Sequence, residues 1–147
     1  ECVKISSGYV VGGNGSAANI VGVLNGIFYN DASTLKPTFA NFYKATITPA
    51  NSEDTVAFVM DDPFQQYVVA TDDARTQAQF LATYDMNSSA GSDTTGKSSS
   101  TLDTSETSAD GKQFRLIRSA EDPENEDITA AFFSGIVVSN LNSYNQV

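Results

Sequence analysis

The residues of this 147-residue chain that could do chemistry are first its grouped carboxylates: Asp61-Asp62, Asp72-Asp73 and the stretch from Glu121 to Asp127. Acidic loops can supply the roughly six to eight oxygens that calcium takes, but the Asp-x-Asp-x-Asp-Gly spacing of a calcium loop is absent. A glycoside-hydrolysing pair needs two carboxyl groups about 5–10 Å apart in a cleft, which spacing along the chain does not set. Solvated acidic loops are the plainer reading. No metal and no cofactor is expected.

A second candidate is Gly91-Ser92-Asp93-Thr94-Thr95-Gly96-Lys97-Ser98, a literal match to the Gly-x-x-x-x-Gly-Lys-Ser phosphate loop. Such a loop works because it follows a buried parallel strand and opens a helix whose N-terminus faces phosphate. Here Tyr84–Ala90 is polar and Ser99–Asp110 has no apolar helical face, so the stretch reads as a flexible loop. Gly12-Gly13-Asn14-Gly15-Ser16 is also glycine-rich but lacks the lysine.

The chain has no histidine, which removes Ser-His-Asp and Cys-His nucleophile designs and the usual zinc chemistry. Cys2 is the single cysteine, so no intrachain disulfide forms. Eight Lys and Arg against 18 Asp and Glu leave a charge of −10, which a phosphate backbone would repel. Neither an enzyme nor a nucleic-acid binder is expected. Apolar runs such as Ile20–Leu24 and Gly135–Val138 fall far short of the ~20 residues of a membrane span. The opening Glu-Cys-Val-Lys-Ile has neither an initiator Met nor a signal pattern, so processing or a segment preceding Glu1 is expected.

Aromatics from Tyr9 to Tyr67, including Phe28, Phe58 and Phe64, could form a stacking platform for a sugar, but in a β-rich chain they more simply supply core and sheet surface. Tyr29, Phe39, Phe42 and Tyr43, with Lys36 and Lys44, are the candidate interface residues.

The elements that must position these residues follow from period-two patterning. Val3, Ile5 and Tyr9–Val11 flank Ser6-Ser7-Gly8 and predict a hairpin. Asn19–Tyr29, interrupted by Gly22 and Gly26, predicts one long bent central strand. Thr38–Ile47 predicts an extended stretch with Phe39, Tyr43, Ala45 and Ile47 on one face and Phe42 on the other. Thr55–Met60 predicts a strand buried on both sides, broken by Asp61-Asp62-Pro63 and followed in a hairpin by Phe64–Thr71.

Asp73–Tyr84, where Ala74, Ala78, Leu81 and Ala82 can share a face, predicts one short helix or helical turn. Asp85 to Gly111 is Ser/Thr/Asp/Gly-rich and reads as exposed loop, too polar to make core, with a strand near Ser99–Asp103. Gln113–Ser119 and Phe132–Asn140 predict the closing strands. The expectation is a single all-β domain over residues 1–147: an antiparallel β-sandwich or barrel of roughly eight to ten short strands, with at most one short helix.

In this order the motifs resemble those of tailed-bacteriophage head decoration, or cement, proteins. The string Val21-Gly22-Val23-Leu24-Asn25-Gly26-Ile27-Phe28-Tyr29-Asn30-Asp31 is similar to that family's Gly-Val-Phe-x-Gly-x-x-Tyr-x-Asp strand and turn. Lys36-Pro37-Thr38-Phe39 and Tyr43 follow as its Pro-plus-aromatic strand, and Ala57 to Pro63 as its apolar strand ending in Asp-Asp-Pro. The likeness continues through Thr95-Gly96-Lys97-Ser98, Leu102-Asp103, Phe114-Arg115-Leu116-Ile117, Asp122-Pro123-Glu124-Asn125 and Val137 to Tyr144. Two departures stand out: Asn140-Leu141-Asn142 lacks the usual His, and the strands that normally precede Glu1 are missing.

The resemblance implies a non-enzymatic virion protein on the outer capsid surface, bound to the major capsid protein, forming homo-oligomers with a trimer favoured, and bracing the shell against packaged DNA. Lys4, Lys36, Lys44, Arg115 and Arg118 would then be available for contacts to capsid carboxylates. The alternatives are an extracellular β-sandwich binding or adhesion module, or a filament subunit joined by strand addition.

Overall fold

The computed structural model describes residues 1–15, 19–87, 89, 91–108 and 111–144, with the side chains of 106–108 outside the description. Among the described residues ten strands lie in two five-stranded sheets, every strand pair antiparallel, in a sandwich-like all-β fold.

In the first sheet, β1 (Cys2–Ser6) and β2 (Tyr9–Gly12) form the predicted hairpin. Its two-residue turn places Ser7 at φ 51° and Gly8 at φ 84°, the doubly positive geometry that matches strand twist. The centre is β3 (Gly22–Asn30), flanked by β4 (Pro37–Ala40) and β5 (Val56–Met60). Val23 pairs both Cys2 and Met60, and Phe28 pairs both Phe39 and Val56. Thus β1 and β4 share one edge of β3, and β5 runs along the other. A register shift between Leu24 and Gly26 leaves Asn25 as the extra residue of a bulge, the bend that the glycine spacing predicted.

The extended stretch expected over Thr38–Ile47 is only the four residues of β4. Continuing past Ala40 would carry the strand into the part of β3 already paired with β1, so the chain turns away instead. The strand expected to be buried on both sides is an edge strand with Val56, Phe58 and Met60 exposed. Nor does it form a hairpin with the strand that follows. Residues 61–65 carry the chain across to the other sheet through a turn in which Asp62 Oδ1 accepts the Phe64 N–H at 2.9 Å.

The second sheet runs β6 (Gln66–Ala70), β10 (Ser134–Ser139), β9 (Phe114–Ser119), β7 (Thr83–Met86) and β8 (Leu102–Ser108). The short helix or helical turn expected within Asp73–Tyr84 is the latter, a single 3-10 turn, Gln77–Gln79, closed by a capping box between Thr76 and Gln79. Its would-be apolar face is mostly alanine, which offers little burial, and Leu81 takes φ 69° and stays exposed. Tyr84 instead contributes its ring to the core as part of β7. The Ser/Thr-rich stretch, expected to be too polar for core, provides β8. Leu102 is fully buried, and buried Thr104 is satisfied by a hydroxyl bond to Asp72, which also accepts its N–H at 2.9 Å.

The core lies largely on the second sheet: Tyr84, Met86, Leu102, Phe114, Leu116, Phe133 and Val137, joined by Cys2 and Ile20 from the other side. Tyr67 meets the Phe114 ring edge-on at 6.3 Å between centroids. Buried Gln113 ties the two halves together. Its Nε2 donates to the Gly13 carbonyl at 2.5 Å, and its Oε1 accepts the Met86 N–H at 3.0 Å.

Candidate functional site

The first sheet presents a row of apolar side chains that stays exposed among the described residues. Cross-strand pairing puts Phe28 beside Phe39 on one edge and beside Val56 on the other, with Gly26 opposite Phe58. The Phe39 ring lies across Gly26, where a Cβ would come within 2.7 Å of Phe39 Cζ. Because glycine leaves that space, Phe39 reaches Phe58 with ring centroids 5.7 Å apart. Phe39 is 62 % exposed and Phe58 45 %, so the pair forms surface and not core. Val56 and Met60 extend the same apolar row along β5.

A second concavity, an open groove of about 670 Å³, is lined by Val3, Tyr9, Leu24, Ile27, Tyr43 and Ala57 among others, and lies between the β1–β2 hairpin and the centre of the sheet. A smaller, more polar hollow of about 270 Å³ brings Phe42 to the glycine-rich loop of residues 91–98. Gly96 sits at φ 70° directly against the Phe42 ring, where any side chain would collide. Lys44 Nζ stands over the other part of the same ring, 5.1 Å from its centroid.

The candidate interface residues are therefore dispersed. Phe39 belongs to the aromatic row, Tyr43 lines both the groove and the polar hollow, Phe42 lines the hollow, and Lys44 stands over the Phe42 ring. Tyr29 pairs with Thr38, one residue out of phase with Phe28 and Phe39, and so points to the opposite face. Lys36 is exposed in the turn before β4, where its carbonyl accepts the Asp31 N–H at 3.0 Å. Sequence reasoning placed Phe28, Phe39 and Phe58 only within a broad set of aromatics and missed Val56 and Met60 as part of one surface with them. The available signal was the acid on either side of 55–60, Glu53-Asp54 and Asp61-Asp62, a pattern that guards edge strands.

No family model, no curated protein and no solved structure matches the chain.

The acidic groups are held in turns. Asp31 accepts the Ser33 hydroxyl at 2.5 Å and the Thr34 N–H at 2.9 Å, bonds that lower its pKa. Asp122, through Asn125, and Asp127, through Thr129, are lowered in the same way. Asp61 accepts the Tyr144 hydroxyl at 3.1 Å, which raises the tyrosine's pKa. Among the described residues no cluster of three or more potential metal ligands forms. The phosphate-loop match closes into a turn by bonds from Gly96 N–H to the Ser92 carbonyl and Ser92 N–H to the Lys97 carbonyl, and a strand follows it. Cys2 is buried, which pushes its thiol up to about 12, and it donates to Asn14 Oδ1 at 2.9 Å. Such a thiol is a structural donor and a poor nucleophile.

Proposed function

We propose that the chain is a structural protein that decorates and stabilises the outer surface of an icosahedral tailed-phage capsid, with the major capsid protein as its partner. One observation carries this reading: the core gathers on the second sheet, while on the first sheet Phe39, Val56, Phe58 and Met60 form an exposed apolar row beside an open groove. Contiguous exposed apolar surface of this kind marks a protein-interaction site. The ordered motifs from Val21 to Tyr144 direct that interaction to a phage shell. The acidity suits an outer position, away from packaged DNA, and keeps unassembled subunits apart in solution.

In this role rigidity and repetition replace catalysis. Weak contacts gain effect when many copies engage one lattice. Trimers closing at local threefold positions would give each copy the same interface. Quantitative mass spectrometry of intact virions tests the proposal. A copy number comparable with that of the major capsid protein is the expected outcome, and a few copies per particle would assign the chain to a tail or spike instead. A glycan array showing specific binding that disappears on replacing Phe39 would favour the adhesion alternative.

A further inference from the structure

The outer edge of β5 is the part of the apolar sheet best suited to receive a partner chain. Among the described residues β5 pairs with β3 alone. The Met60 carbonyl turns towards β3, where it lies against Gly22 at the position a Cβ would occupy. Strand alternation turns the backbone groups of Phe58 and Val56 the same way, and those of Ala57 and Val59 outward. No turn or loop bond takes up the Ala57 or Val59 N–H among the described residues. Val-Ala-Phe-Val-Met thus offers an uncharged, unpaired ladder, the form of edge that accepts an added strand.

Charge selects the occupant. Glu53 and Asp54 stand before this ladder and Asp61 and Asp62 after it, all exposed and none in an ion pair among the described residues. A second copy of the chain is disfavoured by its own charges. Antiparallel self-pairing centred on Phe58 sets Asp54 opposite Asp62, and parallel self-pairing sets each acid beside its counterpart. Like charges directly opposite are destabilising.

We propose that the β5 edge binds, by strand addition, an extended segment of a different protein that is apolar along its middle and carries Lys or Arg at both ends. The segment spans about 17 Å, five residues at roughly 3.4 Å each. Its side chains on one face lie alongside Val56, Phe58 and Met60, and its basic ends meet the two acid pairs. That the segment belongs to the coat protein rests on the decoration reading above, whereas the edge and its charge preference do not.

A blocked heptapeptide, Lys-Val-Thr-Val-Thr-Val-Lys, titrated into the full chain and followed by amide hydrogen exchange is the direct test. The proposal expects at least tenfold slowing at Ala57 and Val59, no binding of the same peptide with Glu ends, and no binding to Val59→Pro. Proline at that position removes an outward N–H and spares the bonds to β3. Should Val59→Pro fail to fold, Asp54→Lys combined with Asp61→Lys answers the same question, because it should reverse the preference to the Glu-ended peptide. No slowing with either peptide, slowing confined to β2 or β6, or equal binding of both peptides would overturn the proposal.

Co-sedimentation with undecorated shells separates the two claims. Wild-type protein that binds the Lys-ended peptide but not the shells would refute decoration and leave the edge. Val59→Pro that folds and still binds shells like the wild type would refute the edge and leave decoration.

Discussion

The two sheets have the same number of strands and the same antiparallel pairing, yet they treat apolar residues in opposite ways. The second turns Tyr84, Leu102, Phe114, Leu116 and Val137 into a common interior with almost no exposure. The first leaves Phe39, Val56, Phe58 and Tyr43 in solvent and sends only Cys2, Ile20 and Val23 to that interior. Composition does not account for the contrast, because both halves carry aromatic and β-branched strands. Coverage does: the second sheet has Cys2 and Ile20 seated on its inner side, whereas the Phe28–Phe39–Phe58 face of the first stays exposed and only its other face buries Ile27. The larger part of the core therefore belongs to one sheet, and the exposed aromatic row to the other.

The largest expected effect separates the sheets by paired truncation. Phe114→Ala removes a ring buried among Tyr67 and the core and should cost about 3–5 kcal/mol. Phe58→Ala, on the half-exposed row, should cost about 1 kcal/mol or less while reducing shell binding. Denaturant unfolding gives both values, and equal costs would break the contrast.

Next in size is the tie between the halves. Gln113→Leu leaves the Gly13 carbonyl and the Met86 N–H unsatisfied in the interior and should destabilise by about 2–4 kcal/mol. A loss confined to exchange protection in β1 and β2, with the second sheet unchanged, would show that the two sheets unfold separately.

A smaller effect is expected at alkaline pH. Burial raises the Cys2 thiol to about 12 from its ordinary 9.0, so the folded state keeps a proton that the unfolded state releases. The associated stability is complete below pH about 9 and falls as the pH rises towards 12, and a Cys2→Ala variant should lose that dependence. Native protein should resist iodoacetamide at neutral pH. The smallest effect is acidic: Asp31, in the first sheet's turn, and Asp122 and Asp127, beside the second, all have lowered pKa values. Their stabilisation is present above the ordinary carboxylate pKa and lost as pH falls through the folded values. Single Asp→Asn changes followed by acid titration should show comparable, small losses in the two regions.

Much of the architecture was legible from period two. The hairpin at Ser7-Gly8, the bent central strand and the last two strands lie where alternation and glycine placement put them. What alternation could not show was coverage. Val56, Phe58 and Met60 against Ala57 and Val59 describe a strand apolar on both faces, and that pattern fits a buried strand and an uncovered edge equally well. Alanine spacing over Asp73–Tyr84 allowed a short helix or a turn, and only the turn formed, with Tyr84 going to β7 and the core. Leu102 was hidden in a polar stretch because one buried residue and a hydroxyl satisfied by Asp72 suffice to seat β8.

For the site, the structure disperses the residues that the sequence singled out. Phe39 does join an exposed aromatic surface, but Tyr29 points to the other face and Phe42 packs under the loop of residues 91–98. Register and the Gly26 opening decide that grouping, and both depend on which strands pair across β3.

Hydrogen exchange of the whole chain, free and bound to undecorated capsid shells, tests the central claim most directly. The account predicts added protection in β3, β4 and β5, greatest at Ala57 and Val59, with β9 and β10 unchanged. Added protection confined to the second sheet, or none anywhere in the presence of shells, would contradict it.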